Sequence, residues 1–164
     1  MQNVVAMWDR LNGMIKWVEK WALIILFVGM LLCGGLQIFA RFILHAPISW
    51  SEELLTYAFV WSSFLGASLA VDQLAHFNVD IFIHHFPPKF AKIVLYLVWL
   101  TMLWFTAFLT YKGTILAQLN IVQTMDVLPL SMVWAYASIP VSAAFMFVHT
   151  ADKVLTGSFQ PVSE

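Results

Sequence analysis

Four long apolar stretches without Asp, Glu, Lys or Arg divide the chain, at residues 21–40, 54–71, 93–111 and 127–151. Each comes close to the roughly 20 residues that a helix needs to cross about 30 Å of hydrocarbon. The runs are continuous and do not alternate, so they favour helices over a β-barrel. They predict an all-α integral membrane protein with four transmembrane helices. The predicted spans are residues 21–44, 50–75, 89–112 with an extension toward 119, and 129–151.

Two further segments are predicted to lie in the membrane interface. In residues 3–20, apolar side chains recur at helical spacing: Val4, Trp8, Leu11, Ile15 and Val18. Another side of this segment is polar and carries Asp9, Asn12, Lys16 and Glu19. The pattern predicts an N-terminal amphipathic interfacial helix. Between spans two and three, apolar residues such as Phe77 alternate with polar ones such as Asp80, which predicts a short second interfacial helix.

Composition supports lipid as the solvent of this chain. Of its 164 residues, 62% are hydrophobic and 10% charged, against about 45–50% apolar and about 25% charged in soluble domains. We expect a single membrane domain over 1–164, with the first apolar run acting as an uncleaved anchor. The net charge of −1 gives no sign of nucleic acid as a partner. Six of the eight Lys and Arg residues fall on the side of the two termini, which predicts that both termini are cytoplasmic.

The start of the second span is the most distinctive local pattern. Ser49-Trp50-Ser51-Glu52 matches a capping box, with Ser49 as N-cap and Glu52 at N3. Arg41 lies at the end of the first span, on the same predicted side of the membrane as Glu52 and Glu53. It either pairs with one of these glutamates or is solvated separately. Small residues then recur every four positions along the helix: Ala58, Ser62, Gly66 and Ala70. Such a stripe allows close helix packing, either within this chain or against another subunit.

Groups that would carry chemistry are scarce in the predicted spans. No acidic residue lies at mid-depth, where coupled transporters need an ionisable site. Gln37 is predicted to form an interhelical hydrogen bond, and Pro140 to bend the fourth span. The five histidines lie at or beyond span ends, where surface exposure is expected, although a haem or metal site near the interface stays open. We find no motif for nucleophilic catalysis, predict no cofactor, and do not expect an enzyme.

Residues 49–80 resemble the small membrane (Q-type) subunit of TRAP transporters, the tripartite ATP-independent periplasmic transporters. The matching residues are Ser49-Trp50-Ser51-Glu52-Glu53-Leu54, Tyr57, Phe59-Val60-Trp61, Phe64-Leu65-Gly66-Ala67-Ser68-Leu69-Ala70, His76 and Val79-Asp80. Leu128-Pro129 and Ile139-Pro140-Val141 are also similar, and length and span number match over almost the whole chain. Asp72 departs from the pattern, because many relatives are expected to carry a basic residue there.

The resemblance implies a scaffold role in sodium-coupled uptake (symport) of an organic acid across a bacterial inner membrane. A large elevator-type membrane subunit would form a stable heterodimer with this chain. A periplasmic substrate-binding protein would dock transiently, and membrane lipids would surround the assembly. On this interpretation the subunit interface includes Arg41, Trp50, Glu52, Glu53, Tyr57 and Trp61, and His76 with Asp80 forms a cytoplasmic-loop motif. The competing functions are a haem- or quinone-binding anchor of a redox complex and a small autonomous exporter.

Overall fold

The computed structural model describes residues 2–74 and 88–156, and these ranges are helical apart from their connections. The helices are α1 (Gln2–Phe42), α2 (Ser49–Leu74), α3 (Pro88–Leu119), the single turn α4 (Val133–Tyr136) and α5 (Ser138–Thr156). Three segments are long and apolar enough to cross a membrane: Met7–Phe42, Ser49–Gln73 and Val133–Val154. The predicted all-α class is therefore confirmed for the described residues, three of the four predicted spans meet these criteria, and α3 extends to Leu119 as the apolar pattern indicated.

The N-terminal segment differs from its prediction. Residues 3–20 form no separate interfacial helix, because α1 runs unbroken for 41 residues from this segment into the first apolar stretch. The helix ends where His45 adopts a positive φ of 55° and the Ala46 N–H donates to the Ala40 carbonyl, the pattern of a left-handed C-terminal cap. The second predicted interfacial helix, with His76 and Asp80, lies outside the described residues.

Helix α5 is the centre of the fold. It packs against α1, α2 and α3, whereas α3 contacts only α5 and α4 among the described helices. Several buried side chains on these two helices are small: Ser62 and Ser68 on α2, and Ser142 and Ala143 on α5. Small residues let helix backbones approach closely when lipid removes the hydrophobic drive for association. The arrangement is an open layer of helices rather than a closed bundle.

Gly113 of α3 lies close against the start of α5. A Cβ at Gly113 would stand 2.9 Å from Ile139 Cγ2 and 3.1 Å from the backbone nitrogen of Pro140. Pro140 has no N–H for the Tyr136 carbonyl, and the helix is interrupted nearby, between α4 and α5 at Ala137. The helix interruption near Pro140 therefore lies where α3 packs against α5 at Gly113.

The small-residue stripe on α2 packs only in part. Ser62 is buried, but a Cβ at Gly66 would meet nothing within 4 Å. The buried face of α2 instead includes Ser51, Ser62, Leu65, Ser68 and Asp72. A strict four-residue repeat drifts around a helix of 3.6 residues per turn, so it leaves the buried face after Ser62. Among residues 2–74 and 88–156, no other helix packs closely at Gly66, so packing of the stripe against another subunit stays a prediction.

Candidate functional site

Glu53 joins the first turns of α2 to the loop before α4. Its carboxylate accepts hydrogen bonds from three consecutive backbone N–H groups, those of Asp126, Val127 and Leu128, at 2.8, 3.0 and 2.7 Å. The Tyr57 hydroxyl donates to the same carboxylate at 3.3 Å. A carboxylate is suited to this role because it only accepts and has room for several donors. Glu53 therefore positions a loop of its own chain.

Two other predicted interface residues also act within the chain. The Trp61 indole Nε1–H donates to the Trp134 carbonyl at 2.8 Å, which links α2 to α4. Gln37 Nε2 donates to Glu52 Oε1 at 3.0 Å, so the interhelical hydrogen bond predicted for Gln37 is confirmed. Trp50 remains 40% exposed and is free to contact another molecule.

Of the two alternatives for Arg41, the pair with Glu52 or Glu53 is wrong, and the predicted capping box is also wrong. Among the described residues, no ion pair joins Arg41 to either glutamate, because Glu52 is bonded to Gln37 and Glu53 to the loop backbone. Helix α2 begins at Ser49 itself, and the Ser51 hydroxyl donates to the Ile48 carbonyl at 2.6 Å. The Glu52 side chain thus accepts a hydrogen bond from Gln37 of α1. In a capping box it would accept one from the backbone N–H of Ser49.

A buried polar cluster lies at the opposite end of the fold, between α1, α2 and α5. His149 is fully buried, and its Nε2 lies 2.8 Å from Glu19 Oε2 while its Nδ1 faces Asn12 Oδ1. Asn12 Nδ2 donates in turn to Asp152 Oδ2. Both nitrogens of His149 are engaged within the chain, so surface exposure, the expected state of this histidine, is wrong.

Asp72 supplies the α2 side of this cluster. Its Oδ2 lies 2.8 Å from Lys16 Nζ of α1, and its Oδ1 lies 3.3 Å from Lys153 Nζ of α5. One carboxylate therefore joins all three helices. Asp72 thus has a cationic partner on each of the two neighbouring helices.

Sequence reasoning missed the polar cluster, although its residues carry a signal. Asn12, Lys16 and Glu19 share one face of α1 at spacings of four and three. His149, Asp152 and Lys153 share one face of α5 in the same way. Each of these short helical faces carries hydrogen-bonding and charged side chains, so the two faces are candidates to pack against each other.

The contact of Glu53 with the loop and the contact of Asp72 with two lysines lie at opposite ends of the apolar part of α2. From Glu53 to Asp72 the helix rises about 28 Å at 1.5 Å per residue, close to the roughly 30 Å of bilayer hydrocarbon. Polar contacts therefore join α1, α2 and α5 at one end of the fold, and at the other end they join α2 to α1 and to the loop before α4. Such an arrangement holds helices in fixed positions and offers no charged group at mid-depth for a transported solute.

A family model matches residues 30–159, which is most of the chain. Its description is the DctQ component of tripartite ATP-independent periplasmic transporters. The chain belongs to the DctQ family. The resemblance found at residues 49–80 is thereby confirmed, and the DctQ match includes Glu53, Trp61, Asp72 and His149.

Individual DctQ-like relatives agree. The small permease protein SiaQ of a sialic acid TRAP transporter from Vibrio cholerae is 26% identical over 144 residues, covering 88% of this chain and 83% of SiaQ. A small permease protein of a TRAP transporter from Haemophilus influenzae is 31% identical over 116 residues, covering 68% of this chain and 71% of its own. SiaT, a sialic acid TRAP transporter permease from Haemophilus influenzae, is 36% identical over 81 residues, which are 48% of this chain and 13% of SiaT.

Proposed function

We propose that this chain is the small scaffold subunit of a sodium-coupled TRAP transporter that takes up an organic acid across a bacterial inner membrane. The observation that carries the proposal is membership of the DctQ family together with a fold fastened at both ends. A rigid, polar-bonded unit without a mid-depth ionisable site suits a static support. Substrate and sodium would bind on a larger membrane subunit.

The large-subunit partner is supported by the match to SiaT. A segment like this chain makes up only 13% of that permease, so the similar segment is joined to a much longer protein. In the present system we infer a separate large subunit that forms a stable heterodimer with this chain. A periplasmic substrate-binding protein would dock transiently, and lipids would surround the assembly.

Helix α3 acts as the fourth span in this proposal. Its 32 residues from Pro88 to Leu119 would extend about 48 Å, more than enough to cross the hydrocarbon. Four spans return the chain to its starting side, which agrees with both termini in the cytoplasm. The loop held by Glu53 then faces the periplasm, and the buried polar cluster lies near the cytoplasmic surface.

The substrate class follows from the relatives only. SiaQ and SiaT are named for sialic acid, and we propose the same broad class, a carboxylate such as sialic acid or a dicarboxylate. The haem- or quinone-anchor alternative is not favoured by DctQ membership. His149, moreover, has no free ring nitrogen for a haem iron.

Co-purification followed by reconstitution tests the function. The chain is isolated from its native membrane in mild detergent, and its partners are identified by mass spectrometry. We expect a much larger multi-span partner in equal amount. In liposomes, uptake of labelled sialic acid or dicarboxylate should require this chain, the partner, the binding protein and an inward sodium gradient. A solitary chain, or uptake that is unchanged without this chain, would contradict the proposal.

A further inference from the structure

The N-terminal third of α1 has its polar face turned inward. Asn12 and Glu19 are 2% and 0% exposed, because they bond to His149 and Asp152 of α5. Lys16 is drawn to the same side by Asp72 of α2. This is the face that amphipathicity alone would assign to water. Hydrogen bonds and ion pairs therefore set the orientation of this part of α1, and they bury its polar face where an amphipathic helix usually buries its apolar face.

The opposite side of the same segment is apolar and uncovered. We call it the outer face of α1, and its residues are 44–68% exposed: Met7, Leu11, Met14, Trp17 and Val18. Arg10 lies among them. Most soluble surfaces avoid a contiguous apolar patch of this kind, and one that is uncovered marks a site of contact with another molecule.

Length argues that lipid does not cover the whole outer face. The apolar segment Met7–Phe42 has 36 residues, or about 54 Å at 1.5 Å per residue. A helix tilted by about 20° needs only about 32 Å to cross 30 Å of hydrocarbon, or roughly 21 residues. The charge-free stretch 21–40 satisfies that need, so the outer face extends into or beyond the headgroup region.

The spacing of the outer face fits a helix as its occupant. Met7, Leu11, Met14 and Val18 follow one another at intervals of four, three and four residues. This is the a/d repeat by which one helix packs along another. The same spacing continues through Trp21, Ile25, Val28 and Leu32, which are exposed together with most of the span, so the apolar seam is continuous from outside the hydrocarbon into the span.

We propose that the outer face of α1 is the surface on which a helix of the large membrane subunit docks, at the cytoplasmic end of the complex. The inference rests on the proposed function and specifies the contact. The buried polar cluster would then serve assembly: it withdraws the polar side chains of α1 into this chain and leaves an apolar seam for the partner.

Site-specific photo-crosslinking tests the contact in the native membrane. A benzophenone amino acid is placed at Leu11 or Met14 on the outer face, and at Asp9 or Lys20 as controls. The control residues are exposed on the same segment but point to its polar flank. We expect covalent adducts with the large subunit from Leu11 and Met14, and at least about tenfold less from Asp9 and Lys20.

Charge substitution gives an independent measurement. Leu11→Lys and Met14→Lys should each lower the amount of co-purified large subunit by about tenfold, which corresponds to about 1.4 kcal/mol. Asp9→Lys should leave it unchanged. Because these side chains are exposed in the isolated chain, its thermal unfolding should be unchanged in all three variants.

The outcomes separate this inference from the proposed function. If the large subunit co-purifies but adducts are equal on both flanks, join two copies of this chain, or form only with lipid, the docking surface is wrong and the function stands. Unchanged co-purification of both lysine variants has the same meaning. If no large subunit co-purifies with the intact chain, the proposed function itself fails.

Discussion

At the scale of single residues, Glu53 shows how one carboxylate organises a loop. It accepts from three consecutive backbone N–H groups, an arrangement that an amide reproduces only in part because it has a single acceptor oxygen. The residue next to it, Glu52, accepts one bond from Gln37. Adjacent glutamates in one helical turn therefore have different structural roles, and they form a natural comparison.

We expect Glu53→Gln to loosen the loop and Glu52→Gln to leave it unchanged. The first variant would leave backbone donors of residues 126–128 without their acceptor, so these amides should exchange with deuterium about tenfold faster. The second variant keeps an oxygen that still accepts from Gln37. Hydrogen-exchange mass spectrometry of the purified chain measures both. Equal exchange in the two variants would contradict the role of Glu53.

The contribution of the contact between His149 and Glu19 to stability can also be measured separately. Removing one partner of a buried ionic or hydrogen-bonded pair leaves the other uncompensated, at a cost of about 3–5 kcal/mol. We expect His149→Gln and Glu19→Gln each to lower thermal stability, and the double variant to lose less than the sum of the two. A double-mutant cycle from thermal unfolding in detergent measures the coupling. Strictly additive losses would mean that the two side chains act separately.

At the scale of helices, α1 shows what a sequence pattern can and cannot predict. Its apolar stretch 21–40 predicted a span correctly, because hydrocarbon demands about 20 apolar residues. The segment before that stretch, residues 3–20, was predicted to be a separate interfacial helix, but it continues into α1, and its polar residues Asn12 and Glu19 are buried inside the chain. Hydrophobic pattern alone expects Asn12, Lys16 and Glu19 to face water, and it contains no information on His149 and Asp152, which are more than 120 positions away in the sequence. The interior of this end of the protein is set by polar complementarity.

Gly66 of α2 and Gly113 of α3 show that a sequence repeat also fails to predict which glycine lies at a close helix contact. Gly66 belonged to a visible four-residue repeat, yet among the described residues no atom outside its own helix turn lies within 4 Å of the position of its missing Cβ. Gly113 belonged to no repeat that was recognised, yet it lies against Ile139 and Pro140. A close approach depends on the path of the second helix, and the interruption of that helix near Pro140 was only partly predictable.

Alanine at these two glycines should therefore have opposite effects. In Gly113→Ala the new methyl group would stand 2.9 Å from Ile139 Cγ2, so α3 and α5 must separate slightly. Overpacking of this kind costs about 1–3 kcal/mol. Gly66→Ala meets open space and should leave the isolated chain as stable or slightly more stable. Thermal unfolding of both variants in detergent decides, and a stable Gly113→Ala chain would show that the contact is not tight.

At the scale of the whole molecule, the described helices form an open layer in which α5 packs against each of the others. Helix α3 reaches the rest of the described structure through α5 and α4 alone, while α1 and α2 meet α5 through both small residues and charged groups. Much of the apolar surface of α1 and α3 stays uncovered by the chain. An open layer of this kind is expected of a subunit whose partner completes it.

The orientation of the layer gives the final prediction. Val122, 91% exposed in the loop before α4, should face the periplasm, whereas Asp9 on α1 should face the cytoplasm. In a chain with Cys33→Ala, we expect Val122→Cys to react with a membrane-impermeant maleimide in intact spheroplasts. Asp9→Cys should react only after the membrane is permeabilised. The reverse pattern would invert the proposed orientation. Labelling of both cysteines without permeabilisation would place residues 9 and 122 on the same side of the membrane. The three crossings by α1, α2 and α3 that the proposal puts between them would then be wrong.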